Sequence, residues 1–187
     1  MSFCGAGLTV ERARREGYDA ISVAVEQLDR AHFYPEKHMM SLELVVDRSD
    51  RRVLGIQGAC TAGDALKARV DAVAAVLQYG KPTVEDISNL EVSYAPPFAA
   101  AMDVVNVVGN VADNVLAGRV KPITAEEFMD LWNKRAENNV FFIDARPAKA
   151  GQAVQAQHPE WHSISLEEMP SRVSEVPRDR PVAIICN

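Results

Sequence analysis

Cysteine is the residue type best suited to nucleophilic or redox chemistry in this sequence of 187 residues, which contains Cys4, Cys60 and Cys186. Their odd number and wide spacing offer neither a disulfide framework nor a CxxC pair. Cys186 ends the apolar run 181–186, which predicts a buried strand, and open α/β sheets bind ligands at the carboxyl ends of parallel strands. Cys186 is therefore a candidate nucleophile. The alternative is that Cys186 is only a small, buried hydrophobic residue at the end of a strand. We predict a structural role for Cys60 and no role for Cys4.

Two tyrosines lie next to prolines and are further candidates for a functional site. Tyr94 begins the segment Tyr94-Ala95-Pro96-Pro97-Phe98, which is predicted to be extended because proline keeps the preceding residue out of helical geometry. Tyr34 is followed directly by a proline, and ordinary packing is an equally good interpretation of this residue.

The composition argues against several classes of function. The net charge of −6 and the pI of about 5.3 lack the excess of Lys and Arg that neutralises phosphates, so no nucleic acid partner is predicted. A proline between His158 and His162 breaks the helix that would align them as metal ligands. No apolar run approaches the roughly 18 residues of a membrane span, and no signal peptide is evident, so we predict a cytoplasmic protein without membrane contact.

The first half of the sequence is predicted to be α+β. Alternating apolar and polar residues predict an antiparallel sheet with one buried face, from strands at 21–28, 41–46 and 53–58. A short helix over 8–17 precedes them, with Thr9 as its N-cap. Helical spacing then predicts helices over 66–77, 83–90 and 104–116. The wide valine-rich surface of the last helix indicates burial against more than one neighbour, and another subunit is one candidate.

The second half is predicted to be α/β and to follow a linker at 120–122. Thr124 and Glu127 form a capping box that begins a helix. Short apolar runs predict two strands buried on both faces of a parallel sheet, at 140–144 and 181–186. A further helix is predicted over 166–176.

Short segments of the first half form a recognisable series: Gly7-Leu8-Thr9, Val53-Leu54-Gly55-Ile56-Gln57-Gly58, Arg69-Val70-Asp71, Tyr94-Ala95-Pro96-Pro97-Phe98 and Asp103-Val104-Val105-Asn106. In order and spacing, residues 1–119 resemble the dimerisation domain of the pyridine nucleotide–disulfide oxidoreductases, in particular coenzyme A-disulfide reductases and NADH oxidases.

The second half contains a similar series: Ile123-Thr124-Ala125-Glu126-Glu127, Ile143-Asp144-Ala145-Arg146 and Pro181-Val182-Ala183-Ile184-Ile185-Cys186. These segments are similar to the opening helix, the first buried strand and its turn, and the cysteine-bearing strand of a rhodanese-like domain. Residues 120–187 therefore resemble such a domain, and coenzyme A-disulfide reductases with a fused rhodanese domain have the same order.

The resemblance implies a homodimeric enzyme that uses FAD and NAD(P)H to reduce a disulfide, coenzyme A disulfide or polysulfide. Its flavin and nicotinamide domains would precede this sequence. Gly5-Ala6-Gly7 is not their fingerprint, because Val10 stands where the third glycine would be, so no cofactor is expected in this chain itself. In the resembled reductases, tyrosines of this domain reach the partner subunit's active site, where a phenol donates a hydrogen bond to a thiolate or to coenzyme A sulfur. The resemblance implies this role for Tyr94 and offers it for Tyr34.

The resemblance also implies that Cys186 takes a sulfane sulfur from one donor and passes it to another thiol. In a rhodanese the loop after this cysteine surrounds the sulfur with backbone N–H groups. Arg146 would steer an anionic sulfur donor toward the cysteine, with an internal contact to Asp144 as the alternative. Because the sequence stops one residue after Cys186, we expect an incomplete rhodanese-like domain without useful turnover.

Two other functions remain open at this point. The chain could be a non-catalytic scaffold that pairs subunits and docks a sulfur-carrying partner, which persulfide formation at Cys186 would distinguish from an enzyme. A freestanding sulfurtransferase is a weaker alternative, because the loop expected after Cys186 is missing.

Overall fold

The computed structural model describes residues 1–186; Asn187, with which the predicted rhodanese-like domain ends, lies outside the described residues. The chain divides into two compact units, Met1–Pro122 and Ile123–Asn187, here termed unit 1 and unit 2. The division follows the last residue of the linker, whereas the sequence prediction placed the boundary after residue 119. No helix among residues 1–186 is both long and apolar enough to cross a bilayer.

Unit 1 is built on a four-stranded antiparallel sheet with the strand order β1-β4-β3-β2. The strands are β1 (Ser2–Gly7), β2 (Ala20–Leu28), β3 (Met39–Asp47) and β4 (Val53–Cys60). The three strands predicted from alternation are confirmed as β2, β3 and β4. The sequence prediction missed β1, because Gly-Ala-Gly has no alternation of apolar and polar side chains, and the strand forms by pairing with β4 over its whole length.

Four helices complete unit 1: α1 (Val10–Arg15), α2 (Gly63–Tyr79), α3 (Val84–Ser88) and α4 (Val104–Leu116). All four were predicted, and Thr9 caps α1 by accepting a hydrogen bond from the backbone N–H of Arg12. The valine-rich surface of α4 packs on α3, β2 and β3, so neighbours within unit 1 already account for its width. One apolar core between the sheet and the helices includes Leu42, Leu44, Ile56, Leu66 and Val108.

The backbone of β4 comes close to the residue that follows β1. This close approach explains why position 55 is a glycine. A Cβ atom on Gly55 would lie 2.2 Å from the backbone oxygen and 2.5 Å from the backbone nitrogen of Leu8. Leu8 also donates its N–H to the carbonyl of Leu54 at 2.9 Å, which holds the two segments together. A side chain at position 55 therefore has no space unless β1 moves away.

Unit 2 contains a small parallel sheet with the strand order β6-β5-β7. The strands are β5 (Phe141–Asp144), β6 (Trp161–Ser163) and β7 (Val182–Ile185). The helices are α5 (Ala125–Asn133), α6 (Ala148–Gln157) and α7 (Met169–Arg172), the last continued by a 3₁₀ turn at Val173–Glu175. The capping box of Thr124 and Glu127 is present at the start of α5, as predicted. The sequence prediction missed α6 and β6.

Two local predictions were wrong, one in each unit, and a third was confirmed only in part. The run 181–186 does not form a strand buried on both faces, because β7 lies at the sheet edge, where Ile184 is 61% and Ile185 is 41% exposed. The helix predicted over 166–176 shortens to α7 and its 3₁₀ turn. The segment that begins at Tyr94 is not extended throughout: the N–H groups of Phe98 and Ala99 both donate to the Ala95 carbonyl, and the fixed φ of proline suits this turn.

Candidate functional site

The two candidate tyrosines lie in two loops of unit 1, here termed the first and second tyrosine loops. The first loop, residues 29–38, connects β2 to β3 and carries Tyr34, which is half-buried and whose N–H closes a turn to the Ala31 carbonyl at 2.8 Å. An open depression is lined by Tyr34, Pro35 and Glu36. The second loop, residues 91–103, precedes α4 and carries Tyr94, which is 55% exposed. Both phenols are therefore at least partly accessible to a partner.

The fold brings these loops together although they are far apart in sequence. The N–H of Ala31 donates to the carbonyl of Pro96 at 3.3 Å, and the Gln27 side chain donates to the carbonyl of Met102 at 2.8 Å. Arg69 of α2 forms a buried ion pair with Asp103 at the end of the second loop, with Nη2 2.8 Å from Oδ2. The sequence reasoning included Arg69 and Asp103 only as parts of matching segments and gave neither a role.

Asp29 closes the base of the first tyrosine loop. Its fully buried carboxylate accepts hydrogen bonds from the backbone N–H of His38 at 2.7 Å and from Nε of Arg30 at 3.1 Å. Its own N–H donates to the carbonyl of His38 at 2.9 Å, so the carboxylate and the N–H of one residue join the two ends of the loop. The sequence analysis missed Asp29, because charged residues at the ends of strands are too common for this position to indicate a role.

Large apolar side chains are exposed on the two tyrosine loops. The exposed fractions are 66% for Phe33, 71% for Phe98 and 57% for Met102. We term Phe33, Phe98, Met102 and Tyr94 the aromatic patch, because all four are exposed on two loops that a hydrogen bond joins. Exposed large apolar side chains that are grouped in this way are typical of an interaction surface.

In unit 2 the parallel sheet brings Cys186 and Arg146 to the same edge. Asp144 of β5 is in register with Ile185 of β7, and the N–H of Ala145 donates to the Ile185 carbonyl at 2.8 Å. Cys186 is the next residue after β7 and is exposed. The candidate thiol therefore lies at the carboxyl edge of the parallel sheet, where α/β sheets bind ligands.

Arg146 makes the internal contact that the sequence analysis named as its alternative. Its Nε and Nη2 donate to the two carboxylate oxygens of Asp144 at 2.9 and 2.6 Å, a bidentate arrangement. These hydrogen bonds hold the pKa of the buried Asp144 carboxyl below its usual value, against the opposing effect of burial. An anion at this edge would therefore meet a guanidinium that is already oriented by a fixed carboxylate.

The remaining cysteines and histidines do not form a metal centre within residues 1–186, which contain no cluster of three or more His, Cys, Asp or Glu ligands. His158 follows α6 and packs edge-on against Trp132, whereas His162 lies in β6 and stacks on Phe141. Cys60 belongs to the core of unit 1 and is 1% exposed. Burial, together with the nearby charge of Asp71, raises the pKa of the Cys4 thiol.

The stability of unit 2 is expected to depend on pH because of His162. Burial and the positive charge of Arg180 lower its pKa from the usual 6.5, so protonation is less favourable in the folded state than in the unfolded state. The folded state therefore gains stability from a neutral His162. This stabilisation is complete above the pKa of the histidine in the unfolded state, and it is lost as the pH falls through the lower pKa in the folded state. We expect the urea midpoint of unit 2 to decrease between about pH 7.5 and about pH 5.5, a range that spans the ordinary histidine pKa.

Tryptophan fluorescence measures this effect in unit 2 alone, because the chain has two tryptophans, Trp132 and Trp161, and both belong to that unit. The variant His162→Phe keeps a ring to stack on Phe141 and should reduce the decrease in midpoint. His158 is exposed, so His158→Gln is the matched control. This variant should keep the decrease in midpoint. An unchanged pH dependence in His162→Phe would contradict the prediction.

The glycines near the start of the chain do not form a binding turn for FAD or NAD(P)H. Gly5-Ala6-Gly7 lies within β1, paired antiparallel with β4, and does not form a turn between a parallel strand and a helix N-terminus. Gly7 has a φ of +74° at the end of the strand, and a Cβ there would meet the β4 backbone at 2.3 Å, so this glycine serves strand packing. Gly5-Ala6-Gly7 is therefore not a dinucleotide-binding turn.

The fold and its loops define the class of protein: an α+β dimerisation domain of an oxidoreductase, followed by an α/β unit with a rhodanese-like fold. Residues 2–105 match the family model of the pyridine nucleotide-disulphide oxidoreductase dimerisation domain. The chain belongs to this family.

Known relatives agree with this placement. The NAD(P)H coenzyme A polysulfide/persulfide reductase of Pyrococcus horikoshii is 36% identical over 105 residues, which are 56% of this chain and 23% of that protein. The chain therefore spans about a quarter of the length of the curated relatives that it matches. Two solved structures each superimpose with a TM-score of 0.81 at 28% identity, over 98% of this chain and 31% of theirs. They are an NAD-dependent persulfide reductase from A. fulgidus and the reduced CoADR-RHD of Bacillus anthracis.

Proposed function

We propose that this chain supplies the subunit-pairing and sulfur-handling part of a homodimeric oxidoreductase that reduces a disulfide, coenzyme A disulfide or polysulfide. The observation that carries the proposal is the family match over residues 2–105, which includes both tyrosine loops. FAD and NAD(P)H would be held by flavin and nicotinamide domains of that enzyme, since Gly5-Ala6-Gly7 is part of a strand and not a dinucleotide-binding turn. When bound, they would supply the reducing electrons.

Tyr94 and Tyr34 would act at the active site of the partner subunit. A phenol O–H is a hydrogen-bond donor that can stabilise a thiolate or the sulfur of coenzyme A. Two features support this role for Tyr94: its side chain is 55% exposed, and its loop is held by hydrogen bonds to the first tyrosine loop. The partly accessible position of Tyr34 beside an open depression is compatible with the same role.

Cys186 would handle sulfane sulfur. Its thiolate would attack the outer sulfur of a donor such as thiosulfate, forming one S–S bond while the donor's S–S bond breaks and sulfite leaves with the bonding electron pair. Attack by an acceptor thiolate on the outer sulfur of the resulting persulfide would then restore the Cys186 thiolate. Arg146 would attract the anionic donor, because Asp144 orients its guanidinium at the same sheet edge.

Dimerisation through the aromatic patch is the direct test of the proposal. We expect size-exclusion chromatography with light scattering to give the mass of a dimer throughout a dilution series. The variant Phe98→Asp should weaken the dimer by about 30-fold or more, the effect of losing roughly 2 kcal/mol at an interface hot spot.

Tyr79→Asp is the matched control, because Tyr79 is 85% exposed at the end of α2 and lies outside the aromatic patch. It should leave the dimer mass unchanged. A monomer at all concentrations of the unmodified chain would refute the pairing role, and equal effects of the two variants would refute the assignment of the patch.

A non-catalytic scaffold is the second candidate function. The observation in its favour is the exposure of Ile184 and Ile185 on β7, which leaves an apolar strand accessible beside Cys186. Such an edge suits docking of a sulfur-carrying partner as well as it suits catalysis. The formation of a persulfide on Cys186 distinguishes the two functions.

A further inference from the structure

Arg69 is one of the few charged residues that unit 1 buries, with only 9% of its surface exposed. Its Nη2 and Nε donate to Oδ2 of Asp103 at 2.8 and 3.2 Å. Nη2 also donates to the backbone carbonyls of Asp29 at 3.1 Å and Phe98 at 2.8 Å. A single side chain of α2 therefore contacts the base of the first tyrosine loop, the middle of the second, and the cap of α4.

The chemistry of this contact requires arginine. A guanidinium has five N–H donors in a rigid plane, so it can serve a carboxylate and two carbonyls at the same time, and it stays charged when buried. Asp103 compensates that charge and also caps α4 by accepting a hydrogen bond from the N–H of Val105 at 3.1 Å. The two carbonyls have no competing role in a helix or a sheet ladder, because both belong to loops.

The two tyrosines are attached to the segments that Arg69 holds. Asp29 accepts the N–H of His38 on its carboxylate, which closes the loop that carries Tyr34, and accepts the Arg69 guanidinium on its backbone carbonyl. Phe98 ends the turn that begins one residue after Tyr94. The direct hydrogen bond between Ala31 and Pro96 then couples the loops to each other.

We infer that Arg69 is a positioning residue that fixes Tyr34 and Tyr94 together, so that one buried guanidinium sets the geometry of both phenols. The purpose of this arrangement rests on the proposed function, whereas the geometric coupling can be measured on the chain alone. Arg69 touches neither phenol and acts only through the backbone of the two loops.

Fluorine NMR of the chain labelled with 3-fluorotyrosine tests the inference, because the sequence contains four tyrosines that give four assignable signals. In Arg69→Met we expect the signals of Tyr34 and Tyr94 to shift or broaden together, while those of Tyr18 and Tyr79 stay in place. Hydrogen exchange of both loops should accelerate by about tenfold or more, as the loss of at least one hydrogen bond to a charged donor implies.

Arg69→Lys provides a variant that keeps the cation next to Asp103 if Arg69→Met does not fold. The three N–H groups of an ammonium diverge from one nitrogen and do not reproduce the planar fork of a guanidinium, so the same two signals should move, by a smaller amount. The matched control is Arg51→Met, which removes an arginine that bridges Glu85 and Asp113 elsewhere in unit 1 and should leave both signals unchanged.

A response of only one of the two tyrosines in Arg69→Lys, or the same response in Arg51→Met, would overturn the inference. The oligomeric state of each sample is measured separately. A monomeric chain in which both signals move together would support the positioning role while contradicting the proposed pairing of subunits, so the two failures are distinguishable.

Discussion

Replacement of Cys186 by serine is expected to abolish the gain of one sulfur atom that the chain shows after incubation with thiosulfate or inorganic polysulfide. The reason is chemical: the sulfur atom is transferred to a thiolate, and a serine hydroxyl is not ionised near neutral pH. Cys186 is exposed at the carboxyl edge of the parallel sheet, the same edge at which Arg146 follows β5. Intact-mass and peptide mass spectrometry measure the gain and its position, and we expect one added sulfur atom per chain.

The other two cysteines provide the controls. Cys60→Ser should keep the full gain, because Cys60 is buried in the core of unit 1. Cys4→Ser should also keep it, because the raised pKa of Cys4 leaves little thiolate to react. Labelling that persists in Cys186→Ser would contradict the assignment of this thiol. An unmodified chain without any gain of sulfur would favour the scaffold function.

Gly55→Ala is expected to destabilise unit 1 by about 3 kcal/mol, near the upper end of the usual cost of overpacking. The added Cβ would lie 2.2 Å from the oxygen and 2.5 Å from the nitrogen of Leu8, and these backbone atoms cannot rotate away as a side chain can. β1 must therefore separate from β4, which breaks ladder hydrogen bonds at an end of the sheet. Urea unfolding followed by far-UV circular dichroism measures the change.

Gly80→Ala is the matched control for this substitution. A Cβ at Gly80 would lie 3.6 Å from the Val76 carbonyl oxygen, an ordinary contact, so the midpoint should change little or rise slightly. Tryptophan fluorescence, which reports unit 2 alone, shows whether an effect is confined to unit 1. Equal stability of Gly55→Ala and the unmodified chain would show that β1 can shift without cost.

Several elements of the fold could be predicted because their signals are local. The helical spacing of Val104, Val108 and Val111 specified α4, and the capping box of Thr124 and Glu127 specified the start of α5. Hydrogen bonds within a helix join residues four apart, so a short stretch of sequence contains the whole signal. The residue types of the candidate site were visible for the same reason: a thiol at a strand end and phenols beside prolines.

Contacts between distant segments could not be predicted in this way. Arg69 and Asp103 are thirty-four positions apart, and nothing in either neighbourhood identifies the other as its partner. β1 forms because β4 accepts it, although its own residues favour no strand. The position of β7 at a sheet edge, with Ile184 exposed, also depends on strand order and not on the apolar run itself.

The sequence by itself determined the family, most of the helices and strands, and the residues whose types permit sulfur chemistry. The tertiary structure decided which of their segments lie together: the loops of Tyr34 and Tyr94 are joined by a hydrogen bond, and the register of two parallel strands brings Cys186 and Arg146 to one sheet edge. The physical reason is the range of the interactions. Periodicity and capping act over a few residues, whereas the pairing of loops and strands depends on the packing of the whole unit, which no single segment encodes.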